Sequence, residues 1–400
     1  MHSLSSTFAT NIYSNSNLFQ NCSSSNSNNL KNKNNFEKRN ERFTSLIAIG
    51  NPIVDITAEI TKETIEKFNL KWGDNFFYNN QDNNDIEFIG ELENESKTTC
   101  VPGGSIQNTL RVLSWCLNME KNNEKKFKVS MLGAVGKDNY KNKIINALKE
   151  VGVNPILEII IGNETSRCGV GIYQNEKYHL ADLRASRRLS EKFIENNSDI
   201  IFSHDSLLIE GYMFNNHFNL CKKICETFKQ KKKPVFLTLS STNIIKYNYE
   251  KIIEIANDSD IIVGNIDEAK ELAKAQGIEI NKIFEIIFKK LKSNNDRILI
   301  ITDLPNEIYC AKYDYKTQRL NCIWTVFNQK LNEEEIQDLN GVGGAFLGGF
   351  LSQYMMGYDI SDCCKFGLDV ANEIMKHVGC YFPKNLNLFE YMNSENSFWN

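Results

Sequence analysis

The sequence predicts an α/β domain of three layers, a central and mostly parallel sheet with helices on both faces, plus a small β-rich lid. Three observations predict it. Short apolar runs closed by turn residues recur along the chain, from "SLIAIGNP" at 45–52 to "RILIITD" at 297–303. Helical patterns such as "NTLRVLSWCL", "YKNKIINALKEV" and "FNLCKKICETFKQ" separate most of them, which implies parallel crossovers. The runs are continuously apolar rather than alternating, as strands covered on both faces are.

Taken in order, residues 1–42 are Asn- and Ser-rich and read as a disordered extension, because such a tract buries too little apolar surface to offset its ordering entropy. Its Ser-rich, acid-poor start leaves organelle targeting open. The folded domain is expected over 43–395. Leu46 to Ile49 form a buried strand stopped by Gly50, Asn51 and Pro52. Further strands follow at "KVSMLGAVG" (128–136), "SLLIEGY" (206–212), "PVFLTLS" (234–240) and "DIIVGN" (260–265). Two segments break the alternation, about 59–101 ("DNFFYNN", "DIEFIGEL") and 156–183 ("ILEIIIG", "CGVGIYQNEKYHLADL"). They are expected to pair as the lid. A late hairpin, "IYCAKYD" and "LNCIWTVF", adds antiparallel strands before a glycine-rich loop.

Composition narrows the function classes. The 400 residues are 41% hydrophobic and 24% charged with a net charge of −4, which suits a globular domain and gives nucleic acid no general attraction. The 11 cysteines show no CxxC spacing and the 5 histidines no HExxH, so reduced cytosolic thiols are expected rather than disulfides or a zinc site. No apolar run approaches the roughly 20 residues of a membrane span. The cytoplasm is the expected compartment, with the nucleus also open. A monomer is compatible with everything read here.

Four motifs point to chemistry. In "GNPIVD" (50–55), Asp55 follows a strand at the sheet's carboxyl end, where a carboxylate can grip vicinal hydroxyls or serve a turn. In "PGGSIQN" (102–108), Gly103 and Gly104 let backbone approach a ligand, and Ser105 or Asn108 can cap a helix or bind a hydroxyl. In "GNIDEA" (264–269), Asn265 and Glu268 flank a helix start, suited to magnesium near phosphate or to capping. In "DLNGVGGAFLGGF" (338–350), Gly341, Gly343 and Gly344 open an apolar helix whose bare N–H groups favour an anion. It is not a Walker loop, since no GK[ST] follows.

These motifs, in this order, with "LGAVGKD" and "VGCYFP" (378–383), resemble the ribokinase-like (PfkB-type) carbohydrate kinases, most closely the members that phosphorylate adenosine. The resemblance covers about residues 43–390. It implies transfer of a phosphoryl group from ATP to adenosine, giving AMP in purine salvage, with Mg2+ at the phosphates. By position, Asn51, Asp55, Gly103, Gly104, Ser105 and Asn108 would form the ribose pocket. Asn265 and Glu268 would organise magnesium indirectly. Gly341, Val342 and Gly343 would form the anion hole, and Thr302 and Asn340 would contact ATP.

Departures accompany the resemblance. Leu339 replaces a Thr, and Gly344 stands where the family has the Asp that acts as general base. Met213 lies near the position of an adenine-stacking aromatic, with Tyr212 beside it, and "ITDLPNE" lacks the Gly expected after Thr302. Asp338 precedes the glycine turn and is a poor substitute base. Three readings follow: a nucleoside kinase, a pseudokinase that binds nucleoside or ATP without turnover, and a kinase for another ribosyl compound or sugar.

Overall fold

The computed structural model describes residues 42–70, 75–77, 84–119, 127–174, 176–278, 296–304, 306–317, 319–327, 335–338, 341–377 and 379–380. Of the expected extension over 1–42, all but Arg42 lies outside these residues, as do Leu339, Asn340 and the chain from 381 onward; the Arg42 N–H donates to Met355 O at 3.0 Å.

The strands are β1 (Ser45–Ile49), β2 (Ile53–Glu59), β3 (Asn75–Phe77), β4 (Thr99–Gly103), β5 (Lys128–Gly136), β6 (Val153–Ile160), β7 (Ser166–Tyr173) and β8 (Glu176–Asp182). There follow β9 (Ser206–Glu210), β10 (Val235–Thr238), β11 (Ile261–Asn265), β12 (Arg297–Asp303), β13 (Glu307–Asp314) and β14 (Arg319–Phe327). The longer helices are α1 (Asn84–Asn94), α2 (Ser105–Met119), α3 (Asn139–Glu150), α4 (Phe218–Gln230), α5 (Thr242–Asp258), α6 (Ile266–Gln276), α7 (Val342–Met355) and α8 (Ile360–Met375).

Nine strands make the main sheet, in the order β14-β13-β12-β11-β10-β9-β1-β5-β6. Pairing is parallel from β6 to β12 and antiparallel in the β12–β13–β14 hairpin. Alternate residues of one strand face opposite layers. Leu46 and Ala48 pack into a core shared with α2, α3, α7 and α8, whereas Ile47 and Ile49 join one shared with α4, α5 and α6. This is the three-layer arrangement the apolar runs predict. Strand β1 lies between β5 and β9, so the crossovers leave it toward both sides of the sheet. The carboxyl ends there flank the crevice where such sheets take ligands.

The second sheet has the order β3-β8-β7-β2-β4. The structure differs from the sequence expectation at three places. Strand β2 belongs to this sheet, so the lid takes residues from Ile53 rather than from about 59. Strand β6 stays at the edge of the main sheet, paired with β5 from Val153 to Ile160, so the lid's second segment starts later than 156. The stretch "DIEFIGEL" lies within α1 rather than in a strand. Phe88, Ile89 and Leu92 have helical spacing, and all three are buried. Their face packs on the lid so tightly that a Cβ at Gly169 would stand 2.9 Å from the Phe88 ring. Helix α1 covers one lid face and leaves the other toward the main domain. Among the described residues, no helix is long and apolar enough to cross a membrane.

Candidate active site

A cavity of about 420 Å³ lies between the lid and the carboxyl ends of β1, β9, β10, β11 and β12. Asn51, Asp55, Gly104, Ser105, Asn108, Gly264, Asn265, Glu268, Thr302, Gly341, Gly343 and Gly344 all line it. Motifs spread over nearly 300 residues of sequence thus converge on one space.

At one end, β1 stops at Ile49, and the Gly50–Pro52 turn carries the chain out of the main sheet and into the lid. Asp55 is therefore the third residue of lid strand β2, not a residue just after a main-sheet strand as the sequence suggests. The antiparallel β2–β4 register sets Ile53 opposite Gly103 and Asp55 opposite Val101. The Asp55 carboxylate folds over Gly103, where a Cβ would stand 2.0 Å from Oδ2. Only glycine leaves that space. Gly104 has a separate reason: its φ is +88°, and its Cβ would sit 3.0 Å from the Asn51 carbonyl oxygen. Burial and, secondarily, the nearby Asp338 push the Asp55 carboxyl up to about 7, against a smaller opposing pull from Lys177.

The turn and the start of α2 are tied together by a residue the sequence reading missed. Glu210, at the end of β9 and 1% exposed, accepts the Asn51 N–H at 3.1 Å and the Ile106 N–H at 3.3 Å. Ser105 adds a side-chain hydrogen bond to it. These bonds favour the ionised form, but burial outweighs them and the carboxyl is pushed up to about 7. The helix is thus capped from another strand. The available signal was an acid ending an apolar run at the sheet's carboxyl edge. One turn further on, the Asn108 side chain reaches toward Gly341.

At the other end, α7 opens at Gly341, whose φ is +78° and which offers no side-chain cap. The first intrahelical bond runs from Ala345 N–H to Gly341 O at 2.8 Å. The N–H groups of Val342, Gly343 and Gly344 therefore have no partner within the helix. Gly343 faces open space, with nothing within 4 Å of a Cβ built there. Gly344 faces α2 more closely: its Cβ would meet Thr109 Oγ1 at 3.1 Å and Ser105 O at 3.3 Å. The Val342 side chain is buried in the core, so only its backbone can serve the cavity.

Asn265 and Glu268 form a reciprocal capping box on α6, with Glu268 N–H donating to Asn265 Oδ1 at 2.8 Å and Asn265 N–H to Glu268 Oε2 at 3.0 Å. Capping and cavity lining hold together. Thr302 pairs with Asn265 across β11 and β12, and its hydroxyl points to Gly264 O at 3.5 Å. Burial pushes the Glu268 carboxyl up to about 7. Among the described residues no three His, Cys, Asp or Glu side chains gather to hold a metal ion. One carboxylate and one amide do fit a hydrated magnesium ion that arrives with phosphates and keeps its waters.

Asp338 is committed elsewhere. Its Oδ1 receives Lys177 Nζ at 2.5 Å and its Oδ2 the Gly379 N–H at 2.9 Å. Met213 is a core residue, 1% exposed, and Tyr212 is the aromatic that lines the cavity. Cys168 and His179 also line it, and no motif singled them out; Cys380, within the "VGCYFP" stretch, lines it too.

Residues 67–386 match the model of the pfkB family carbohydrate kinases. The chain belongs to that family. Its curated relatives include adenosine kinase 1 of Arabidopsis thaliana, 23% identical over 346 residues that make up 85% of this chain and 96% of that protein. The adenosine kinase of Dictyostelium discoideum is 25% identical, over 84% of this chain and 96% of that protein. Among solved structures, Anopheles gambiae adenosine kinase in complex with P1,P4-di(adenosine-5) tetraphosphate gives a TM-score of 0.75 at 24% identity, covering 85% and 97% of the two chains. Schistosoma mansoni adenosine kinase in complex with 2-fluoroadenosine gives 0.77 at 20%, covering 86% and 99%. The three-layer fold expected from the sequence is the fold of these pfkB-family structures.

Proposed function

We propose that the chain is an ATP-dependent nucleoside kinase that transfers the γ-phosphoryl group of ATP to the 5′-hydroxyl of adenosine. One observation carries this reading. A single cavity joins a carboxylate seated on a glycine that must lack a Cβ to the bare N-terminus of a helix. The first suits vicinal ribose hydroxyls and the second a phosphoryl group. The relatives named adenosine kinase and the neighbours holding adenosine compounds support adenosine as the acceptor.

In this reading Asp55 accepts hydrogen bonds from the ribose hydroxyls, and Asn51, Gly103, Gly104, Ser105 and Asn108 complete that end. The N–H groups of Val342, Gly343 and Gly344 donate to the phosphoryl oxygens, with Gly341 setting the turn. Thr302 and Asn340 contact ATP, and Asn265 and Glu268 hold the hydration shell of magnesium. When bound, magnesium neutralises charge on the phosphates. The O5′–Pγ bond forms as the bond from Pγ to the ADP oxygen breaks, and the 5′-hydroxyl proton leaves to water. Gly344 has no side chain to take it and Asp338 is already paired. Phosphoryl transfer depends mostly on positioning and electrostatic stabilisation, so the reaction continues more slowly, by about 10²–10⁴-fold.

The same two features favour a second reading, a pseudokinase that binds nucleoside or ATP without turnover. The test is to incubate purified protein with ATP and magnesium and either adenosine or ribose. AMP from adenosine, without phosphorylation of ribose, supports the nucleoside kinase. Calorimetric binding of adenosine without AMP selects the pseudokinase. Phosphorylation of ribose alone overturns both in favour of a sugar kinase.

A further inference from the structure

We propose that His179 reads the nucleobase, through a hydrogen bond from the lid to a ring nitrogen of the bound purine. This rests on the adenosine reading above. His179 lies on β8, two residues from Ala181 and on the same strand face, and both line the cavity. The described lid residues lining it are otherwise Ile53, Asp55, Val101, Pro102 and Cys168. Apart from Asp55, which the ribose engages, His179 is the one strong hydrogen-bonding side chain in that ceiling.

Among the described residues, neither nitrogen of its ring has a hydrogen-bond partner. The contrast with two other histidines is direct. His204 pairs Nε2 with Ser130 Oγ at 2.8 Å and Nδ1 with Ile200 O at 2.9 Å. His217 pairs Nε2 with Ser186 O at 2.7 Å. Those are structural rings in the core. The half-buried His179 ring opens onto the cavity, where a ligand can supply the partner that the described residues do not. Burial, helped by neighbouring Lys177, pushes the His179 imidazole down to about 4, so near pH 7 it is neutral with one donor and one acceptor. Purine ring nitrogens are acceptors, and the apolar Ile53, Val101 and Ala181 beside it suit the face of a base.

The test uses full-length protein, calorimetry, and adenosine alongside 1-deaza-, 3-deaza- and 7-deazaadenosine. Each analogue replaces one ring nitrogen by carbon. The wild type is expected to bind one of them about tenfold more weakly than adenosine, the value of one hydrogen bond. In His179→Leu that preference collapses toward one, and His179→Gln, which keeps an amide donor, restores part of it. Unchanged preferences in His179→Leu overturn the inference, as does an equal loss across all four ligands. Failure of the wild type to bind adenosine overturns the adenosine reading itself, and this inference with it.

Discussion

Gly344→Asp puts a carboxylate at the third residue of α7, where the family resemblance places a general base. The new Cβ meets Thr109 Oγ1 at 3.1 Å, Ser105 O at 3.3 Å and Thr109 N at 3.5 Å. The first contact is the end of a side chain whose own bond, to Ser105 O at 3.0 Å, is local. The second is backbone and must give by a few tenths of an ångström. The steric cost is therefore small beside the chemical gain. A carboxylate in a helix's first turn also gains about 0.3–1 kcal/mol from the helix dipole. A positioned base contributes about 10²–10⁴-fold, or roughly 3–5.5 kcal/mol of barrier. The expected result is a rise in kcat of that size with adenosine affinity little changed. Single-turnover AMP formation at saturating ATP and adenosine measures it. Gly344→Asp/Thr109→Ala, which removes the tight side-chain contact, separates crowding from chemistry. A folded double variant with wild-type kcat would refute the reasoning that a missing base limits the reaction.

Gly103→Ala should cost as much adenosine affinity as Asp55→Ala, about 10²-fold or more for hydrogen bonds to a charged group, because the added methyl evicts the Asp55 carboxylate; calorimetry checks both. Glu210→Ala leaves the Asn51 and Ile106 N–H groups without their buried acceptor and should cost about 1–3 kcal/mol in urea denaturation. Asp55, Glu210 and Glu268 are all raised to about 7, so the folded chain holds their protons more tightly than the unfolded chain. Their contribution to stability is thus full below about pH 4 and is lost as pH rises through about 7, a slope that a thermal-melt series should show and Glu210→Gln should flatten. Glu268→Gln keeps a capping side chain but loses the charge, and should lower kcat about 10–100-fold at fixed MgATP while, like Glu210→Gln, flattening the fall of Tm with pH.

The main sheet was legible because burial on both faces leaves an uninterrupted signal. "KVSMLGAVG" and "RILIITD" are β5 and β12 to the residue. The lid was harder to read. One of its faces rests on α1 and the other on the cavity, so the pattern of β7 and β8 answers to a ligand as well as to a core. Continuity of apolar character could not tell edge strand β6 from a lid strand, since only its pairing with β5 decides that. At the site, glycines and acids in loops announced themselves by type. Gly103 could be marked as important, but its reason, a carboxylate lying on its Cα, needs the β2–β4 register. Glu210 falls inside the run "SLLIEGY" expected as a strand, and its two N–H partners come from segments more than 100 residues away. His179 carries no local signal at all; its meaning comes from the face of β8 it occupies.

The central claim is that this cavity transfers phosphoryl groups to adenosine without a carboxylate at position 344. Quenched single-turnover reactions with excess protein, ATP, magnesium and labelled adenosine test it most directly. The account predicts slow AMP formation by the wild type that Asp55→Ala reduces by about 10²-fold. Wild-type protein that binds adenosine yet forms no AMP over many hours would contradict it.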